Sequence, residues 1–175
     1  MKVKPWKLLN SEEIFKKFGR GISKCLFELP NGKQEEFYIK SERQTVDVLA
    51  LTSDKQVILL EQFRPGPNKI LYTLPGGFVQ SDQPLNDIQG ELKDETGYEG
   101  DFEFVSSFWA DGYSTMYRHC FVAQNCARTS GPNLEQNEFI NIKLVDLKIF
   151  RSILQQGQMT DIESAYLGLD YLGLL

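Results

Sequence analysis

One stretch constrains this chain more than any other: residues 74–98, LPGGFVQSDQPLNDIQGELKDETGY. A Pro-Gly-Gly turn leads into a short loop, and the loop leads into a helix. Asp82 is placed to cap that helix, and Pro84 suits its first turn. Leu85, Ile88 and Leu92 recur at helical spacing and make an apolar stripe. Gly97 suits the left-handed residue that closes a helix. The opposite face carries Asp87, Glu91, Asp94 and Glu95. Glu91 and Glu95 are one turn apart, so both carboxylates point the same way. Like charges at that spacing cost a helix about 0.2–0.5 kcal/mol per pair. A cation offsets that cost, and hard oxygen ligands suit Mg²⁺ or Mn²⁺. Carboxylates on a helix more often mean only a solvated face. Gly76-Gly77 beside them shifts the balance, because glycine lets a backbone group approach a ligand closely.

Composition removes several function classes. The chain has 175 residues and a formal net charge of −5, so it reads as one domain or one domain with a small appendage. An acidic balance argues against nucleic acid and against an anionic membrane surface. An anionic substrate would then need local basic residues and a metal. No apolar run of signal-peptide length opens the chain, and no segment approaches a membrane span. Cys25, Cys120 and Cys126 are odd in number and have no metal spacing, so they read as reduced thiols in a cytoplasmic protein. Cys120 lies in the apolar run HCFVA and reads as a buried strand residue. A single histidine, His119, argues against a His-based triad.

In chain order, residues 1–20 read as an initial strand or arm and a short turn. Residues 21–29 and 35–41 read as strands joined by Pro30-Asn31-Gly32-Lys33, where Asn-Gly is a strong hairpin signal. A lone hairpin is too small to be stable, so it must pack on the main domain or on another chain. Strands are expected over 46–50, 56–62, 70–74, 102–108, 117–123 and 139–145, with Phe63-Arg64-Pro65 breaking the second of these. A helix is expected over 147–156, and another from Asp161. Together these predict an α/β chain in which a mixed sheet has helices on both faces, preceded by a small β appendage.

The stretch from Gly76 to Gly97 resembles the Nudix box, the loop-helix signature of the Nudix hydrolases. The match holds at Gly76-Gly77, Glu91, Glu95 and Gly97. Gly90 stands where the family has Arg, Asp94 replaces the first Glu of a pair, and Asp82 or Gln83 takes the place of an early Glu. LPNGK, LLEQFRPG and QGQMTDIESAYLGL extend the resemblance over nearly the whole chain, toward the ADP-ribose and nucleoside-diphosphate-sugar pyrophosphatases. The resemblance implies a Nudix-type α/β/α sandwich over 46–175 and an antiparallel β appendage over 1–45. It also implies a homodimer joined through that appendage.

The activity implied is metal-dependent hydrolysis of the diphosphate linkage of ADP-ribose or a nucleotide sugar, to a nucleoside monophosphate and a sugar phosphate. Glu91 and Glu95 would hold Mg²⁺ (or Mn²⁺) with the Gly76 carbonyl, and Asp94 would join through water. Glu135 or Glu138, in LEQNEFI, is the candidate base or further ligand. Arg64, Gly77, Arg43 and Ser114 are the substrate-binding candidates; the guanidinium fork of Arg64 suits phosphate oxygens. The alternative is a Nudix-fold module that binds a nucleotide-type ligand without turnover. Gly90 favours that alternative, and the retained glutamates favour the enzyme.

Overall fold

The computed structural model describes residues 2–175. The chain opens with a three-stranded antiparallel sheet of β1 (Lys7–Lys17), β2 (Arg20–Glu28) and β3 (Gln34–Glu42), in the order β1-β2-β3. The β2–β3 turn closes at the expected place. Gly32 adopts φ +81°, and its N–H donates to the Leu29 carbonyl at 2.9 Å. Of the expected strand or arm, residues 7–17 form a strand, and its residues are all exposed. Its two register shifts against β2 fall at Leu8/Asn10 and Glu13/Phe15.

The remaining elements are β4 (Thr45–Thr52), β5 (Val57–Arg64), β6 (Lys69–Thr73), β7 (Gly76–Phe78), α1 (Pro84–Thr96), β8 (Tyr98–Trp109), β9 (Tyr117–Arg128), β10 (Ile140–Val145), α2 (Leu147–Gln155) and α3 (Ile162–Tyr171). Their strands form one mixed sheet, β10-β5-β4-β9-β8, with β6 paired to β5 and β7 to β4. Three sequence expectations are corrected. Gly76-Gly77 lie in a short strand rather than a turn, pairing with Asp47 and Val46. β5 continues through Phe63-Arg64, because Arg64 finds a partner in Lys69 across the β5–β6 hairpin. β8 and β9 also run beyond the expected 102–108 and 117–123, and the added part of β9 contributes Cys126 to the core.

Chain contacts divide the fold into two compact units. One comprises residues up to Gln44 together with Phe108–Arg118, and the other Thr45–Ser107 with His119–Leu175. In the first, Trp6, Phe27, Phe37 and Tyr113 form a run of ring contacts at 5.1–6.4 Å.

In the second unit, strand alternation sorts the core into two layers. Leu49, Leu51, Val57, Leu59 and Val122 face Phe150, Leu154, Ala165 and Leu169 of α2 and α3. Val46, Val48, Ala50, Ile58, Phe121 and Ala123 face Ile88 and Leu92 of α1. This is the α/β/α sandwich. Asp146 caps α2, its Oδ1 accepting from the Ile149 N–H at 2.8 Å. Gly168 lets α3 lie directly on Leu49, where a Cβ would be crowded. Among the described residues no helix is long and apolar enough to cross a membrane.

Candidate active site

The acidic face of α1 is fixed from both ends. Pro84 occupies the first turn as expected, but the N-cap is Gln83 rather than Asp82, and no side chain caps it. Asp87 organises the preceding loop instead. Its Oδ2 accepts from the N–H groups of Gln80 and Ser81 at 3.0 and 3.1 Å, satisfying donors of the loop rather than of the helix. Leu85 is exposed, so the apolar stripe consists of Ile88 and Leu92. The helix meets the core only from its second turn onward.

Glu91 and Glu95 then fall on the side of α1 that faces β7. Glu95 is almost buried, and its Oε2 accepts from the Gly76 N–H at 2.9 Å. Glu91 is half-buried. A Cβ at Gly77 would occupy the space of the Glu91 carboxylate, and one at Gly76 would run into the Val46 carbonyl. Both glycines are therefore required by close approach, not by unusual backbone angles.

The C-terminus of α1 holds a second acidic segment in place. Gly97 takes φ +76° and returns its N–H to the Lys93 carbonyl at 2.7 Å. The carbonyls at this end need partners, and the segment after β9 supplies them. Thr129 and Ser130 donate backbone N–H groups to the Gly97 carbonyl at 2.8 and 3.2 Å, and Asn133 donates to the Asp94 carbonyl at 2.7 Å. Glu135 and Glu138 follow at once. Glu138 Oε2 accepts from the Glu135 N–H at 2.9 Å, which ties that carboxylate into its own turn and leaves the Glu135 side chain exposed.

The electrostatics follow from this placement. Burial, with the charges of Glu138, Asp94, Glu135 and Asp87, pushes Glu91 up to about 7. Burial raises Glu95 to about 8; the Gly76 N–H opposes the rise, Glu91 and Glu138 add to it, and Arg64 opposes it. The structure thus brings Glu91, Glu95, Asp94, Glu135, Glu138 and Arg64 together around β7 and α1. Among the described residues, no three acidic, His or Cys side chains already stand in metal-ligand geometry.

Arg43 is exposed and Ser114 donates to Glu42 Oε2 at 2.8 Å; both belong to the first unit. Gly90 is exposed, and a Cβ there would meet nothing within 4 Å. Cys120 is buried and its thiol is pushed up to about 12 by burial, the wrong direction for a nucleophile. His119 Nδ1 lies 2.8 Å from Ser107 Oγ. Sequence reasoning missed two contributors, Asp87 as the loop brace and Asn133 as the pin of the late loop. Neither carries a signal beyond being a turn-forming residue type near a helix end.

A family model described as NUDIX domain matches residues 41–162, most of the chain. The chain belongs to the Nudix family. Nudix hydrolases generally use divalent metal cations. A curated relative, the ADP-ribose pyrophosphatase of Bacillus subtilis (strain 168), is 27% identical over 180 residues, spanning 99% of this chain and 96% of the relative. The methanol dehydrogenase activator of Bacillus methanolicus is 26% identical over 174 residues, spanning 96% of this chain and 92% of that protein. The solved structure of an ADP compounds hydrolase superposes with a TM-score of 0.80 over 100% of both chains at 17% identity, which establishes the Nudix fold. The resemblance to the ADP-ribose pyrophosphatase branch therefore holds along the full length.

Proposed function

We propose that this Nudix protein hydrolyses the diphosphate linkage of a nucleoside diphosphate joined to a sugar, ADP-ribose or a nucleotide sugar, releasing a nucleoside monophosphate and a sugar phosphate. One observation carries the reading: Glu91 and Glu95 are packed side by side against two glycines, with both carboxylates raised far above their ordinary range. Holding two such groups together without a cation is costly, and a divalent ion removes the cost. The donor set is all hard oxygen, which fits Mg²⁺ or Mn²⁺. Glu91, Glu95 and the Gly76 carbonyl would hold the ion, with Asp94 reaching it through water. When bound, it supplies charge neutralisation at the diphosphate and a more acidic water.

The protein's own groups do the rest. Glu135 or Glu138 would take a proton from the attacking water; one oxygen of Glu138 accepts from the Glu135 amide, and the Glu138 charge acts on both Glu91 and Glu95. Arg64, at the end of β5, offers its guanidinium to the phosphate oxygens. Gly77 leaves the approach to the pair open. Arg43 and Ser114 are the substrate contacts assigned to the first unit. Residues 1–45 form the dimerisation appendage and 46–175 the hydrolase domain, in a cytoplasmic homodimer. The relative from Bacillus subtilis favours ADP-ribose as the substrate to test first.

A second reading, a module that binds a nucleotide-type ligand without turnover, is favoured by the bare helix position at Gly90, where no other group fills the space. Product release from ADP-ribose, GDP-mannose and UDP-glucose, each with and without Mg²⁺, separates the two. Turnover of one member only with Mg²⁺ supports the enzyme. Binding of a member with no product at stoichiometric protein supports the module.

A further inference from the structure

α3 meets the sheet along one line of its surface. Asp161, Ser164 and Gly168 fall on that line at helical spacing, and each has a partner beneath it. The Asp161 side chain does not cap its own helix. Its Oδ2 accepts from the Leu74 N–H at 3.3 Å and from Thr160 Oγ1 at 3.1 Å. The Ser164 hydroxyl donates to Asp47 Oδ2 at 2.9 Å, and both residues are buried. A Cβ at Gly168 would stand 2.8 Å from Leu49 Cδ2, so its absence lets the helix come close enough for Ser164 to reach β4. These contacts bear on β7. Leu74 lies two residues before Gly76, and Asp47 is the β4 partner of Gly76. A Cβ at Gly76 would stand 3.0 Å from Asp47 Oδ1, so the Asp47 side chain fills the space beside that glycine. The Gly76 N–H in turn donates to Glu95 Oε2 at 2.9 Å.

We propose that Ser164 and Asp47 are positioning residues for the carboxylate pair: the hydrogen bond from α3 fixes the Asp47 side chain against Gly76 and so sets how Gly76 meets Glu95. This rests on the reading of that pair as the reaction site and extends the site's support to a second helix. A buried hydrogen bond that loses its donor is not replaced by water, so removing the Ser164 hydroxyl costs more than the bond contributed when it formed. The Asp47 side chain then turns toward another donor, and the space beside Gly76 changes with it. A shift of β7 draws the Gly76 N–H away from Glu95. Errors of position in a reacting group act on kcat rather than on substrate affinity.

Amide hydrogen exchange of the full chain, without metal or substrate, reports the Gly76 N–H directly. Ser164→Ala should speed exchange at Gly76 by about tenfold. The Ile149 N–H, which donates to Asp146 Oδ1 on α2 at 2.8 Å, should exchange as in the wild type. Ser164→Cys, close in shape and a poor donor, replaces Ser164→Ala if the latter fails to fold. In steady-state turnover of ADP-ribose with Mg²⁺, the same variant should lose about tenfold in kcat at unchanged KM. Unchanged exchange at Gly76, or an equal rise at Gly76 and Ile149, overturns the proposal, and so does an unchanged kcat in an active enzyme. A wild type that turns over no nucleotide sugar removes the functional reading instead, and exchange at Gly76 then decides this proposal alone.

Discussion

At the residue scale, Glu95 and Gly77 are the positions where small changes have large consequences. Glu95→Gln keeps the size and the possibility of a bond with Gly76 but removes a charge from the pair. A bound metal supplies several kcal/mol of transition-state stabilisation, so kcat at limiting Mg²⁺ should drop by at least about a hundredfold, with an unchanged circular dichroism spectrum. Wild-type kcat at limiting Mg²⁺ would remove Glu95 from the ligand set. Gly77→Ala acts on the partner carboxylate. Its Cβ needs the volume of the Glu91 carboxyl, and a displacement of about 1 Å costs roughly a hundredfold in rate. Steady-state kinetics should show the loss in kcat, and overpacking should lower stability by about 1–3 kcal/mol in urea titration. The glycine pair was visible in the sequence as a marker of close approach. That the approaching group is Glu91 itself was not, because it depends on β7 pairing with β4 and bringing Gly77 under the helix.

At the element scale, α1 is where sequence and structure agree most and differ most usefully. Its ends, Pro84 and Gly97, were legible because caps are local. The stripe was not fully so, since periodicity does not say where the sheet beneath the helix begins, and Leu85 falls before it. Gly90 interrupts the helix at an exposed position with open space around it. Replacing it with Ala should stabilise the protein by about 1 kcal/mol, and with Arg by slightly less; differential scanning calorimetry should show Tm rising in both, and a fall would mean the glycine answers a constraint in a neighbouring chain.

The helix also sets a pH dependence. Glu91 and Glu95 keep their protons in the folded state up to about 7 and 8, whereas unfolded they lose them near 4.5. The folded state therefore binds more protons across that interval. Its stability, fully present below about 4.5, is lost as pH rises through the folded values. In EDTA, Tm should fall between pH 5 and pH 8.5, and Glu95→Gln should flatten the slope. A metal-free Tm that rises over this range would contradict the raised carboxylates.

At the scale of the whole molecule, the fold was legible because its signals repeat: strand alternation, the Asn31-Gly32 turn and three helices with identifiable ends. The late loop was legible only as a pair of glutamates in a polar segment. Its position depends on Asn133 and Thr129 meeting the carbonyls of a helix more than 30 residues earlier in the chain, a match no local pattern announces. The first sheet presents β1 with Leu8, Ile14 and Phe15 exposed by 51–58%, an edge suited to a second copy. Removing residues 1–45 would also strip partners from residues 108–118, which share that unit. The cleaner variant is Ile14→Glu with Phe15→Glu, which should turn a dimer into a monomer in sedimentation velocity with no loss of Tm beyond that of dissociation; a monomeric wild type would contradict the assignment. The central claim concerns bond cleavage, and phosphorus NMR of ADP-ribose reports it directly. With the protein and Mg²⁺, the two diphosphate resonances should give way to two monophosphate resonances, and EDTA should stop the conversion. Diphosphate signals that persist at stoichiometric protein, or that disappear equally fast in EDTA, would contradict a metal-dependent diphosphate hydrolase.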